Sequence, residues 1–115
     1  MTTSALTDYT VEHLAMFGVT LRRNNTGMKG GYRYGIKDWP DLLGFHHGRF
    51  WGIEIKNRDT GDKLRDKQEA WLVIMRDNGC VAEVVTCMED VDRLVQEARD
   101  EATECKGCVL RHRMP

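Results

Sequence analysis

The sequence predicts an α/β domain in which a mixed central sheet is flanked by helices. Three observations carry this. The apolar patterns follow one another in the order α-β-β-β-α-β-α, a tight turn joins two strands near the middle of the chain, and both of those strands are apolar on both faces. With 115 residues the chain is of single-domain size. Residues 1–104 are expected to form that domain, with 105–115 as a C-terminal tail.

The elements can be justified in order. Ser4 to Phe17 has helical spacing and is closed by Gly18. Val19 to Arg23 is a short extended run, and the Gly-rich stretch from Thr26 to Gly35 is expected to be a mobile loop. Strands follow over Asp41–His46 and Arg49–Lys56, joined at His47-Gly48. Their Leu, Ile, Phe and Trp residues point to a sheet covered on each side. A second helix is expected from Asp62 to Asn78, ended by Gly79, and then a β-branched strand over Val81–Thr86. Thr86 and Glu89 fit a capping box for a third helix, which presents Val91, Leu94, Val95, Ala98 and Ala102 on one face.

No apolar run approaches the ~20 residues of a membrane span, and Met1 to Leu6 is short and polar for a secretory signal. A cytoplasmic protein is expected. In that compartment Cys80, Cys87, Cys105 and Cys108 read as thiols or metal ligands rather than disulfides. The net charge of −1 says little, but its distribution says more. Arg22, Arg23, Lys29, Arg33 and Lys37 follow one another with no acid between them, interleaved with Tyr32 and Tyr34. A second basic group from Lys56 to Lys67 is diluted by aspartates, and Glu83–Glu104 is strongly acidic. One end of the molecule thus suits a polyanion, with Asn24 and Asn25 beside the basic loop to track a backbone. The alternative is scattered surface charge.

The central hairpin carries the chemistry. If His47-Gly48 is a two-residue turn, His46 faces Arg49, and Asp41 lies opposite Glu54 with Cβ atoms ~4.5–5.5 Å apart. Lys56 projects from the same face. Facing carboxylates repel, and a divalent cation would neutralise them. Oxygen ligands at that density suit Mg²⁺ or Mn²⁺, with Lys56 to hold the attacking water. The alternative is a surface ion pair of little energetic worth. On the second helix Gln68 shares the stripe of Leu64, Trp71, Leu72 and Met75, so it is either buried against a hydrogen-bonding partner or reaches solvent at the helix edge. Glu12, in a row with Ala5, Tyr9 and Met16, is a further candidate metal ligand or a solvated helix residue. His46 and His47 read as turn residues.

At these residues the chain resembles the PD-(D/E)XK nuclease superfamily: Pro40-Asp41, twelve intervening residues, then Glu54-Ile55-Lys56. Within it the sequence most resembles the virus-type replication-repair nuclease (VRR-NUC) domain. The run from Arg33 to Gly44, then Gly52 to Lys56 and Gln68, carries the likeness, which covers about residues 5–98. The resemblance implies a restriction-endonuclease-like αβββαβ core, phosphodiester hydrolysis with Mg²⁺ or Mn²⁺, and branched or duplex DNA as substrate. It also implies a homodimer of phage or bacterial origin. It makes Asp41, Glu54 and the Ile55 carbonyl metal ligands, Lys56 the catalytic lysine, Gln68 the helix residue of the site, and Glu12 the N-terminal helix acid. DNA would meet Arg22, Arg23, Asn25, Lys29, Arg33 and Lys37. Trp39, Phe50, Trp51 and Trp71 either anchor the second subunit or all lie in the core.

The tail departs from that pattern. Cys105 and Cys108 with His112 make half of a zinc site, or else two idle thiols. A rival reading follows: a non-catalytic nucleic-acid-binding module with a zinc-binding tail. The acids of the hairpin argue against it, because binding alone needs no carboxylates facing a phosphate.

Overall fold

The turn at His47-Gly48 sets the fold. In the computed structural model, which describes residues 1–104, both residues take positive φ (49° and 77°), as a type I′ hairpin turn requires. The flanking strands are β4 (Leu42–His46) and β5 (Arg49–Ile55). His46 pairs with Arg49 and Leu42 with Ile53, the register expected from a two-residue turn. The candidate zinc residues Cys105, Cys108 and His112 lie outside the described residues.

Around this hairpin stand α1 (Thr3–Ala15), β1 (Thr20–Arg23), β2 (Gly27–Lys29), β3 (Tyr32–Tyr34), α2 (Asp66–Asp77), β6 (Val81–Val85) and α3 (Met88–Glu104). The four-stranded sheet runs β1-β4-β5-β6. β1, β4 and β5 pair antiparallel, and β6 joins β5 in parallel. A parallel neighbour needs a crossover, and α2 supplies it. The sheet is mixed and flanked by helices, as expected.

Because β5 is buried on both faces, it separates two cores. Trp51, Ile53 and Ile55 join Leu6 and Leu14 of α1 and Val91, Leu94 and Ala98 of α3. On the other face Leu72 and Met75 of α2 meet Ala82, with Trp39, Phe50 and Leu64 half-buried around them. Trp51 is wholly buried, so it belongs to the core and presents no surface to a partner. No described helix is long and apolar enough to cross a membrane.

Several elements differ from expectation, each for a local reason. Thr26–Gly35 is an antiparallel hairpin, β2–β3, instead of an irregular loop. Gly30 and Gly31 supply its turn with φ of 56° and 85°, and the Tyr-Arg-Tyr run suits a strand. In α1 the buried face is Leu6, Thr7, Thr10 and Leu14, not the row containing Glu12. The threonine hydroxyls donate to carbonyls one turn back, Thr7 to Thr3 at 2.8 Å and Thr10 to Leu6 at 2.7 Å, which lets polar residues pack inward. The second helix begins at Asp66, not Asp62, because Arg65 before it is extended (φ −87°, ψ 155°) and serves as the N-cap. Thr86 bonds Asp90, not Glu89: its N–H and Oγ1 donate to Oδ2 at 2.7 and 2.6 Å. His46 is no mere turn residue. Its Nδ1 lies 2.8 Å from Glu101 Oε1, both buried, and Trp51 Nε1 donates to the same oxygen at 2.9 Å.

Candidate functional site

Asp41 stands one residue before β4, and continuing the Leu42–Ile53 register carries it opposite Glu54. Its Oδ2 accepts the Ile55 backbone N–H at 2.8 Å, which fixes the carboxylate against the end of β5. Glu54 projects from β5 toward α2 and is 1% exposed. Its Oε1 receives Gln68 Nε2 at 3.4 Å and lies 3.9 Å from Lys56 Nζ. Its Oε2 is buried with no hydrogen-bond partner among the described residues.

A buried carboxylate oxygen without a donor is costly, and it demands either a proton or a cation. The electrostatics agree. Burial pushes the Glu54 carboxyl from its ordinary 4.5 up to about 9; hydrogen bonding to Asp41 and its negative charge add to the rise, while Lys56 and Arg65 pull it back. Without a cation, Glu54 therefore holds a proton at neutral pH. Gln68 is placed by a second contact, its Oε1 accepting the Arg65 N–H at 3.0 Å. The same side chain thus caps α2 and orients Glu54.

Asp41 and Lys56 open onto a cleft of about 260 Å³, with Glu54 and Gln68 buried behind them. Thr3 and Thr7 of α1 line it, together with Arg23 and Asn25 at the end of β1, and Asp41, Ile55, Lys56 and Asp62. Asp62 was not legible as a site residue. Its Oδ2 lies 3.7 Å from Lys56 Nζ, but it reaches the cleft through the irregular connection before α2, where no periodicity marks it.

The structure brings Asp41, Glu54, Lys56 and Gln68 together, with Ile55 beside them. It does not bring Glu12 to them: Glu12 is exposed and lines a separate groove with Asp8, Val11 and Arg22. Arg23 borders both, its guanidinium 2.5 Å from Asp8. Lys29 and Arg33 are exposed on the small hairpin and Lys37 just beyond it. A larger cavity of about 390 Å³ against β6 and α3 holds Arg49, Arg76 and Arg93. Each faces an acid, respectively Glu97, Glu83 and Asp90, so its charges are internally balanced.

Among the described residues no three His, Cys, Asp or Glu side chains converge as a metal site. Two carboxylates with an unsatisfied oxygen nevertheless fit one class of ion. Mg²⁺ keeps several waters and needs only one or two protein carboxylates, and Mn²⁺ shares that preference for oxygen.

No family model matches the chain, and no curated protein matches it. Among solved structures, one described as "VRR_NUC domain" is similar at 24% identity with a TM-score of 0.60, covering 84% of this chain and 97% of that one. An identity this low speaks for the architecture alone. That likeness over most of both chains gives this chain the fold of a VRR_NUC domain.

Proposed function

We propose that the chain is a nuclease of the VRR-NUC type, hydrolysing phosphodiester bonds in DNA with Mg²⁺ or Mn²⁺. The observation that carries this reading is the buried, unsatisfied Oε2 of Glu54, which stands behind a cleft lined by Asp41, Ile55 and Lys56. Asp41, Glu54 and the Ile55 carbonyl would hold the ion. When bound, it supplies Lewis acidity toward a phosphate oxygen and acidifies a water.

The chain's own residues divide the remaining work. Lys56, held between Glu54 and Asp62, orients the attacking water and offsets charge developing on the phosphate. Gln68 keeps the Glu54 carboxylate in position. Arg23 and Asn25 at the rim, with Arg22, Lys29, Arg33 and Lys37 further out, meet backbone phosphates with little sequence preference. The resemblance in sequence favours branched or junction DNA within replication and repair.

The working form we propose is a homodimer, since severing a duplex or resolving a symmetric junction needs two sites in fixed relation. In support, Trp39, Phe50, Trp71 and Ile74 form an apolar groove on the α2 side. Incubation with supercoiled plasmid, linear duplex and four-way-junction DNA, with Mg²⁺, Mn²⁺ or EDTA, tests the reading. Cleavage that needs the divalent ion and disappears in Lys56→Ala is the expected result. Cutting that persists in EDTA or in that variant would overturn it.

A further inference from the structure

The β2–β3 hairpin packs on neither core. Met28 is 63% exposed, Tyr32 81% and Tyr34 49%. An isolated two-stranded hairpin is marginal in water, so this one is held at its root. Asn24 forms the clasp: Nδ2 donates to the Ile36 and Pro40 carbonyls at 2.8 and 3.3 Å, and Oδ1 accepts the Ile36 N–H at 2.9 Å. The Asn24 N–H itself donates to the Asp41 carbonyl at 2.7 Å. The hairpin is therefore tied to the residue that opens the carboxylate cleft, and Asn25 beside the clasp lines that cleft.

Its two faces have distinct chemistry. Lys29 pairs with Tyr32 and Gly27 with Tyr34, so Tyr32, Tyr34 and Lys29 share one face while Met28 and Arg33 share the other. Between Asn24 and Lys37 there is no acid. Aromatic rings alternating with cations on a projecting ribbon suit a polyanion that also offers flat apolar faces. A single strand of nucleic acid has both, whereas a fully paired duplex hides its base faces in the stack. From the clasp at Asn24 to the end of β2 at Lys29 is five residues, about 17 Å of extended chain, which places a stacked base a few nucleotides from a phosphate in the cleft.

We propose that this hairpin is a base-stacking platform, with Tyr32 at its tip, that selects substrates carrying unpaired nucleotides next to the phosphate to be cut. The proposal rests on the nuclease reading for the identity of the polyanion and adds the part of the substrate that is recognised.

Fluorescence anisotropy in EDTA, with a labelled single strand, its blunt duplex and the same duplex bearing a single-stranded arm, tests it. The wild-type chain should bind the armed duplex and the single strand more tightly than the blunt duplex. Tyr32→Ala should lower those two affinities about tenfold, the size of one lost base–aromatic stack, and leave the blunt duplex unchanged. Tyr32→Trp should restore them, and Arg33→Ala should weaken all three together. Thermal unfolding of Tyr32→Ala should match wild type, because that side chain is exposed. Loss of affinity for all three probes in Tyr32→Ala, or for none, would overturn the platform. Binding to none of the probes by the wild-type chain would instead remove the nuclease reading itself.

Discussion

Glu54 is the residue on which chemistry and stability conflict. Asp41→Asn, Glu54→Gln and Lys56→Ala should each abolish cleavage while leaving far-UV circular dichroism unchanged. Gln68→Ala, which loosens Glu54 and removes the cap of α2, should lower the rate about 10–100-fold. DNA binding should survive in Lys56→Ala and weaken with salt, since most phosphate contacts lie on other residues. The raised carboxyl of Glu54 also predicts a pH dependence. The metal-free folded chain keeps a proton up to about pH 9 that the unfolded chain releases near 4.5. The associated stability is thus complete below about 4.5 and is lost as pH rises toward 9. Melting temperature in EDTA should fall across that window, and Mg²⁺ or Mn²⁺ should recover most at its alkaline end. Glu54→Gln, whose neutral amide can donate to Asp41, should raise metal-free stability by about 1–3 kcal/mol at alkaline pH. A flat profile in EDTA would contradict the buried, protonated carboxyl. The placement of Asp41, Glu54 and Lys56 is legible in the sequence because a two-residue turn fixes the register along both strands, and that of Gln68 because it shares the apolar stripe of α2. Glu12 is misleading because the buried stripe of α1 runs through two self-satisfied threonines that look polar on paper. Glu101 is not legible at all, because its partner His46 lies 55 residues away.

Elements succeed or fail by how their ends are specified. β4 and β5 match expectation to within a residue because turn chemistry bounds one end, and α1 and α2 stop before Gly18 and Gly79 as expected. The start of α2 is harder, since its capping contact is made by Gln68, a residue inside the helix, with the Arg65 N–H. The β2–β3 hairpin reads as a loop because its strands face no core, and so leave no apolar alternation to detect. One element-level contact is severe enough to test directly. A Cβ at Gly44 would lie 1.7 Å from the Thr20 carbonyl oxygen, in the strand paired with β1. Gly44→Ala should therefore push β1 away from β4 and destabilise the chain by about 1–3 kcal/mol or more, as overpacking does. It should also lower activity, because Arg23 and Asn25 at the cleft rim hang from the end of β1. Urea titration beside a cleavage assay measures both, and wild-type stability in Gly44→Ala would show that the strands can separate freely.

For the molecule as a whole, the proposed homodimer predicts that a second copy docks on the α2 face. Trp39 lies 5.4 Å from Trp71 and 6.3 Å from Phe50 between ring centroids, and Ile74 stands exposed beside them. Light scattering at micromolar concentration should report a dimer, and Ile74→Glu should convert it to monomer without unfolding it. A wild-type monomer that makes paired cuts in one encounter would refute this arrangement. The buried contact between Glu101 and the hairpin turn has a practical consequence. It seats the last turn of α3 against His46, Arg49 and Trp51, and Arg49 is five residues, about 17 Å of strand, from Glu54. The end of α3 around Glu101 therefore sits away from the carboxylates, and a dye placed on an exposed side chain of that last turn, such as Glu104, would stand clear of the cleft. Truncating the chain after Asp100 would remove Glu101 and strand an imidazole and an indole N–H in the core.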